Sequence, residues 1–237
     1  MTQTEQFAAA VKRAGSVVFF GGAGVSTESG IPDFRSADGL YNQKYSFPPE
    51  VILSHSFFMS RTEEFFAFYR EKMLFLDAKP NAAHLTLARL EAQGKLTGVV
   101  TQNIDGLHLQ AGSKRVYELH GSVYRNYCMK CGAKYGIEAV TGCQGVPRCS
   151  CGGIIRPEVV LYEESLDDEV VRGALRAVSQ CDMLIIAGTS LAVYPAAGFV
   201  DSFNGDTLAI INKSATPRDG EADMVINCAV GEVLGAL

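Results

Sequence analysis

Residues 16–35 read SVVFFGGAGVSTESGIPDFR. Val17, Val18, Phe19 and Phe20 form an unbroken apolar run, the mark of a strand covered on both faces, and Gly21, Gly22 and Gly24 follow at once. Glycines at a strand-to-helix turn let the backbone approach a pyrophosphate, and the first amides of the helix supply donors. The stretch departs from a strict G-x-G-x-x-G, because Gly22 and Gly24 are followed by Thr27 where a third glycine belongs. Taken alone, it is open to two readings, a nucleotide-phosphate site or a merely tight turn.

Working outward, similar apolar runs occur at 98–101, 183–187, 208–211 and 224–226, each ended by glycine or polar residues. Helical patterns lie between them, at 81–93 and 167–180. The second carries Val170, Val171, Ala174, Leu175 and Val178 on one face, and Ser165 with Asp168 reads as its capping box. Strands alternating with helices predict an α/β fold, a Rossmann-like doubly wound parallel sheet. The first 15 residues suit an amphipathic helix rather than an export signal. The apolar stretch 181–200 reads as a buried strand and a Gly-Thr-Ser loop, not a membrane span, because Asp182, Thr189, Ser190, Pro195 and two glycines interrupt it.

Two segments break the rhythm. Residues 34–77 are rich in aromatics, contain Pro48-Pro49 and a helical FFMSRTEEFFAFYREKML, and supply no obvious second strand of a mononucleotide-binding unit. Residues 124–153 are rich in Cys and Gly. Both read as an inserted small lobe, which leaves 1–33, 78–123 and 154–237 to the Rossmann-like domain. The missing strand, and the missing ribose-binding acid some 20 residues on, argue against an ordinary dehydrogenase.

The chain has 237 residues, 47% apolar and 20% charged, an ordinary globular composition. Its 21 basic and 26 acidic side chains give −5, which argues against nucleic acid or acidic lipid as partner. Seven cysteines, an odd number clustered about one segment, suit a reducing cytoplasm and a metal site better than a disulfide framework. Cys128-x-x-Cys131 and, after 17 intervening residues, Cys149-x-Cys151 have nearly zinc-ribbon spacing. Four thiolates can surround Zn²⁺ at about 2.3 Å each, a closed and therefore structural site. Cys143 is an alternative to Cys149 or Cys151 as ligand, and Cys181 and Cys228 read as core residues.

Polar clusters mark other strand ends, where ligands collect in open α/β sheets: TQNIDGLH at 101–108, ELHG at 118–121, GTS at 188–190 and INKS at 211–214. Together with GAGVSTESGIPDFR at 22–35, KPNAAH at 79–84, the cysteine quartet, IIRPEVVLYEE at 154–164, GTSLAVYPAA at 188–197 and Asn212, these stand in the order and spacing of the sirtuins. The chain resembles that family of NAD-dependent protein lysine deacylases from about residue 14 to 230.

The resemblance implies that NAD and an acyl-lysine peptide meet in the cleft between the two lobes. Ala23 and Thr27 would line the NAD site, Phe34 would cover the nicotinamide and its ribose, and Arg35 would sit near the phosphates. Gln102 and Asn103 would face the nicotinamide ribose, Ile104 and Asp105 would hold the carboxamide, and His120 would be the general base. Gly188, Thr189 and Ser190 would bind phosphate or the adenosine ribose, Asn212 that ribose, and the chain up to Val230 the adenine. Loss of nicotinamide leaves an electron-poor ribose carbon for the acyl oxygen to attack, and a base near pH 7 then activates a ribose hydroxyl. NAD is consumed, the products are free lysine, nicotinamide and O-acyl-ADP-ribose, and zinc takes no chemical part. Mono-ADP-ribosyl transfer is the alternative activity. A cytoplasmic monomer acting on acyl-lysine proteins, away from nucleic acid and membranes, is expected.

One departure stands out. Where sirtuins commonly have an aromatic pair followed by Gly-Glu, this chain has Leu161-Tyr162-Glu163-Glu164, and Glu163 lacks a glycine's access to positive φ. Sirtuins that prefer acidic acyl groups are similar to one another in a Tyr and an Arg three positions apart. Glu71 and Met73 set the register that places Phe66 and Tyr69 there, with Arg70 one residue away.

Overall fold

The computed structural model describes residues 2–33, 46–191 and 196–237; Phe34 and Arg35 lie outside them. Its helices are α1 (Gln3–Arg13), α2 (Pro49–Ile52), α3 (His55–Ser60), α4 (Thr62–Lys72), α5 (Ala82–Ala92), α6 (Leu107–Gln110), α7 (Glu138–Thr141), α8 (Asp168–Ser179) and α9 (Val230–Gly235). Its strands are β1 (Val17–Gly21), β2 (Leu96–Thr101), β3 (Val116–Glu118), β4 (Gly121–Cys128), β5 (Lys134–Tyr135), β6 (Ile155–Val159), β7 (Met183–Ala187), β8 (Thr207–Ile211) and β9 (Met224–Ile226).

Six strands form a parallel sheet in the order β3-β2-β1-β7-β8-β9. Successive side chains of a strand point to opposite faces. Val17, Phe19 and Ile185 therefore pack with Phe7 of α1, Leu87 of α5 and Val233 of α9, while Val18, Phe20 and Ile186 pack with Ala174 and Val178 of α8 and with Phe199. Cover on both faces is why β1 and β7 are apolar at every position. The chain order reverses direction between β1 and β7, the topological switch point where ligands bind in such sheets.

The second sheet is small and antiparallel, β5-β4-β6. Its β4 residue Val123 shares a third core cluster with α2, α3 and α4, built around Phe57, Phe58, Phe65, Phe66 and Tyr69. Phe58 and Phe65 meet edge to face, their centroids 4.9 Å apart. The chain is thus a doubly wound α/β protein with a small cysteine-bearing sheet inserted between β3 and β7.

Three local expectations need correction. The helical run expected from residue 57 is two helices, broken at Arg61, whose φ of −134° is not helical. The hydroxyls of Ser60 and Thr62 donate to the carbonyls of Ser56 and Phe58 there, a side-chain competition that ends helices. Cys228, expected as a core residue, lies in the turn beyond β9 and is only half-buried against the core, with its thiol donating to Glu232. The N-cap of α8 is Asp167, not Ser165: Asp167 Oδ1 accepts the amides of Glu169 and Val170 at 2.8 and 3.0 Å, leaving Asp168 as the first helical residue. Replacing Asp167 by Ala should therefore cost about 1 kcal/mol of stability in urea unfolding. Ser165→Ala should cost nothing measurable, and equal losses would restore the Ser165 cap.

Candidate active site and zinc site

The residues after β1 form two single 3₁₀ turns, Ala23–Val25 and Thr27–Ser29, instead of the α-helix expected from the glycine-rich pattern. The cause is close packing against the end of β7. Gly22 N donates to Ala187 O at 3.1 Å and Gly24 N to Gly188 O at 2.8 Å. Gly188 has φ +59°, and a Cβ on it would lie 2.4 Å from the Val25 nitrogen. Thr27 Oγ1 donates to Gly24 O, closing the first turn at 3.0 Å. Ala23 and Thr27 are both half-buried at this switch point.

The end of β2 meets the same loop. Ser26, 1% exposed, donates its hydroxyl to Asp105 Oδ2 at 2.6 Å and accepts Asn103 Nδ2 at 3.0 Å. Asp105 Oδ1 accepts the Leu107 amide at 2.9 Å, so the carboxylate is held from two sides. Ile104 packs in the third core cluster, and its carbonyl accepts Val123 N. Ser26 is the site residue that the sequence reading did not single out. Nothing in a serine between Val25 and Thr27 announces a partner 79 positions away.

His120 stands between β3 and β4. Its Nδ1 is 2.8 Å from the Gln102 carbonyl. A carbonyl only accepts, so Nδ1 carries the proton and Nε2 keeps its lone pair. Burial lowers the pKa of His120, while the hydrogen bond to Gln102 opposes the shift. The Gln102 side chain reaches the opposite strand end, where its Oε1 accepts the Thr189 hydroxyl at 3.3 Å. Gly121 must be glycine: its φ is +75°, and a Cβ would lie 1.9 Å from Glu158 O.

Farther along the switch edge, Ser190 is half-buried beside Thr189. Asn212 follows β8, with its amide nitrogen donating to Ile226 O and Nδ2 to Ser214 O. The Val230 side chain is 3% exposed within the core, so any ligand contact there falls to its main chain. The structure therefore brings Ala23, Thr27, Gln102, Asn103, Ile104, Asp105, His120, Gly188, Thr189, Ser190 and Asn212 to the strand ends of one sheet or the turns joined to them.

Glu163 does adopt positive φ, +75°. Its Oε2 accepts both the amide and the hydroxyl of Ser56, at 2.9 and 2.6 Å, and these contacts offset the strain. Glu164 alongside is paired by both oxygens with Arg156, at 2.8 and 3.0 Å, and also meets His55 and the Leu161 amide. Despite the opposing effect of burial, those partners bring its carboxyl down to about 2. Arg70 is engaged elsewhere, donating to the carbonyls of Val140 and Gly145 and to Cys143 Sγ.

The sulfurs of Cys128, Cys131, Cys149 and Cys151 all lie within 4.8 Å of one another. Cys128 and Cys151 are 3.5 Å apart, Cys131 and Cys149 3.7 Å. A tetrahedron with Zn–S near 2.3 Å has edges of about 3.8 Å, so the quartet fits one structural zinc. The amide of Cys151 and the Tyr135 hydroxyl hold the Cys149 thiol down to about 6, favouring the thiolate a metal requires. Cys143 is not in the cluster. Its thiol, just past the end of α7, donates back to Ala139 O near the start of that helix.

A doubly wound sheet with a glycine loop at its switch point and a zinc-bearing side sheet defines a nucleotide-binding α/β protein. The chain belongs to the Sir2 family, whose model matches residues 22–195. It is 60% identical over 228 residues to a protein of Clostridium acetobutylicum named NAD-dependent protein deacetylase, covering 94% of this chain and 93% of that one. A protein of the same name from Cutibacterium acnes is 52% identical, with 98% and 96% covered. Among solved structures, a Sir2 protein with deacetylated p53 peptide and 3′-O-acetyl-ADP-ribose has a TM-score of 0.89 at 40% identity, covering 98% of this chain and 96% of that one. A Sir2 protein with p53 peptide and NAD⁺ has a TM-score of 0.87 at 40% identity, with 99% and 96% covered.

The cysteine geometry makes a prediction about metal content. Purified protein should carry one zinc per chain, Cys143→Ala should retain it, and Cys149→Ala should lose it together with the fold of the β4–β6 sheet. Elemental analysis of the two variants decides between them. Zinc lost from Cys143→Ala and kept in Cys149→Ala would reverse the assignment.

Proposed function

We propose that the protein is an NAD-dependent protein lysine deacetylase, which transfers an acyl group from lysine to ADP-ribose with release of nicotinamide. The observation that carries the reading is His120, fixed by Gln102 in the tautomer whose Nε2 accepts a proton, on the same strand ends as the Ser26–Asn103–Asp105 network. The network offers oriented donors and acceptors for the nicotinamide carboxamide. As nicotinamide leaves, the acyl oxygen bonds the ribose carbon. His120 then takes the proton of the neighbouring ribose hydroxyl as that oxygen attacks the acyl carbon, the lysine nitrogen takes up a proton and leaves as the free amine, and one water supplies the oxygen that completes the acyl ester of ADP-ribose. The Gly24–Gly188 packing brings main chain close enough for the phosphates. Ala23, Thr27, Gln102, Thr189 and Ser190 serve the same co-substrate, with Asn212 and the chain at Val230 at its adenosine end; Phe34 and Arg35, outside the described residues, are assigned to it by the resemblance alone.

The substrate peptide adds as a strand beside residues 157–162 and the loop after Gly188, where main-chain hydrogen bonds bind without demanding much sequence. Four-thiolate zinc cross-links the small sheet and is closed to substrate. Among the described residues the small lobe takes in 46–77 and the chain from β4 to β6, wider than 124–153 because β6 pairs with β4, and a reducing cytoplasm suits its thiolates. Mass spectrometry of an acetyl-lysine peptide incubated with the protein and NAD tests the activity: loss of the acetyl mass supports it, and a gain of ADP-ribose on the peptide instead makes the chain a mono-ADP-ribosyltransferase.

Removal of the base by His120→Ala should lower deacetylation by about 10²- to 10⁴-fold and leave NAD binding largely intact. Because the base works only when neutral and burial lowers its pKa, the acidic limb of kcat/KM should have its midpoint below the usual 6.5. A midpoint above 7, or near-wild-type turnover by the folded His120→Ala protein, would contradict the role.

Acyl preference follows from the same lobe. Phe66 and Tyr69 are fully buried and carry no charge, and the cations beside them are engaged, Arg70 over Phe66 with two carbonyls and Arg156, whose charge reaches Tyr69, with both oxygens of Glu164. An acidic acyl group would be buried without a partner, which is costly. Acetyl-lysine should therefore give a higher kcat/KM than succinyl-lysine in one peptide sequence, and the reverse order in side-by-side kinetics would refute it.

A further inference from the structure

Two histidines outside the proposed catalytic machinery are buried as completely as any core leucine. His84, in the first turn of α5, is 0% exposed, and His108 of α6 is 2% exposed. Their ring centroids lie 4.6 Å apart, and Phe19 flanks His108 at 5.9 Å. Among the described residues, neither nitrogen of His108 has a hydrogen-bond partner, nor does His84 Nε2. Burial keeps both rings neutral: it brings His84 down to about 4, against the pull of Asp105, and His108 well below the ordinary histidine value, with His84 adding to the shift.

A neutral imidazole has one donor and one acceptor, and leaving either bare in an apolar interior is unfavourable. Each ring offers an unpartnered nitrogen next to the other. That is the polar setting in which an internal water is held, since a buried water needs two or more such partners.

The pair lies behind the two loops of the proposed NAD site. His84 Nδ1 meets Asn81 at the start of α5, and the Asn81 amide group donates to Val25 O at 2.8 Å and to Ser29 Oγ at 3.0 Å. His84 is thereby tied to the first glycine loop. His108 is tied to the second: it is the second residue of α6, three positions after Asp105, whose Oδ1 accepts the amide of Leu107 at the start of that helix. In front, Ser26 and Asp105 join the loops by one hydrogen bond.

We propose that His84 and His108 form a neutral, water-bridged pair that joins these loops from behind, and that His108 is a positioning residue holding Asp105 against Ser26 for the carboxamide end of NAD. The inference rests on the reading of this cleft as an NAD site. His108 touches no substrate in this scheme. It acts through the register of the two loops, and it contributes little to the peptide end of the cleft.

Calorimetric titration of NAD into the wild type, His108→Leu and His108→Gln tests it, together with KM values for NAD and for an acetyl-lysine peptide. His108→Leu should weaken NAD binding about tenfold, the effect of one lost buried hydrogen bond. The peptide KM should stay within about twofold, and His108→Gln, which keeps a donor and an acceptor, should regain most of the NAD affinity. Equal NAD affinity for wild type and His108→Leu would overturn the proposal, as would a Gln variant no better than Leu. Failure of the wild type to bind NAD at all would instead remove the functional reading. Should the Leu variant not fold, ¹⁵N imidazole spectra of the wild type still decide: both rings neutral at pH 7, with a slowly exchanging N–H, support the pair, and a charged His84 or His108 refutes it.

Discussion

The contact on which the site depends is main chain against main chain, where the Gly24 amide donates to the Gly188 carbonyl. It continues the β1–β7 pairing one step past the strands, and side chains at either position would force the loops apart. The first loop cannot become an α-helix while it follows this surface, so it advances by 3₁₀ turns. Those turns set Ser26 facing the end of β2, where it meets Asp105. A close approach allowed by two glycines thus organises donors and acceptors from three strand ends.

Around that contact the polar groups are cross-braced rather than independent. Gln102 serves two partners at once, its carbonyl orienting His120 and its side chain receiving Thr189. The base is therefore tied to both β2 and β7, and its tautomer is a consequence of backbone geometry. The same economy holds at Glu163 and Glu164, whose carboxylates fasten the chain leaving β6 to the start of α3. A glycine would relieve the backbone strain at 163 and remove that fastening together.

The small sheet solves a different problem. Its strands β4, β5 and β6 enclose a cluster of only Cys128, Cys149 and Ile155 as fully buried apolar residues, too little to order a sheet by itself. Four converging thiolates and one zinc supply the cross-link, while the aromatic cluster of α3 and α4 supplies the hydrophobic support on the side of Val123 and Val140.

What the sequence alone determined is what depends on near neighbours. Apolar runs located β1, β7, β8 and β9, because strands covered on both faces need apolar side chains at each position. Cysteine spacing identified the metal quartet, since each pair forms a tight local turn. What only the tertiary structure decided depends on residues far apart in the chain: Ser26 with Asp105, Glu163 with Ser56, Arg70 with Cys143. The break at Arg61 and the cap at Asp167 were local yet still missed, because hydroxyls and carboxylates choose among several nearby backbone groups with little difference in energy. Periodicity reports which face of an element is buried, and it is silent on which polar groups the fold will bring together, because that is fixed by how the elements pack.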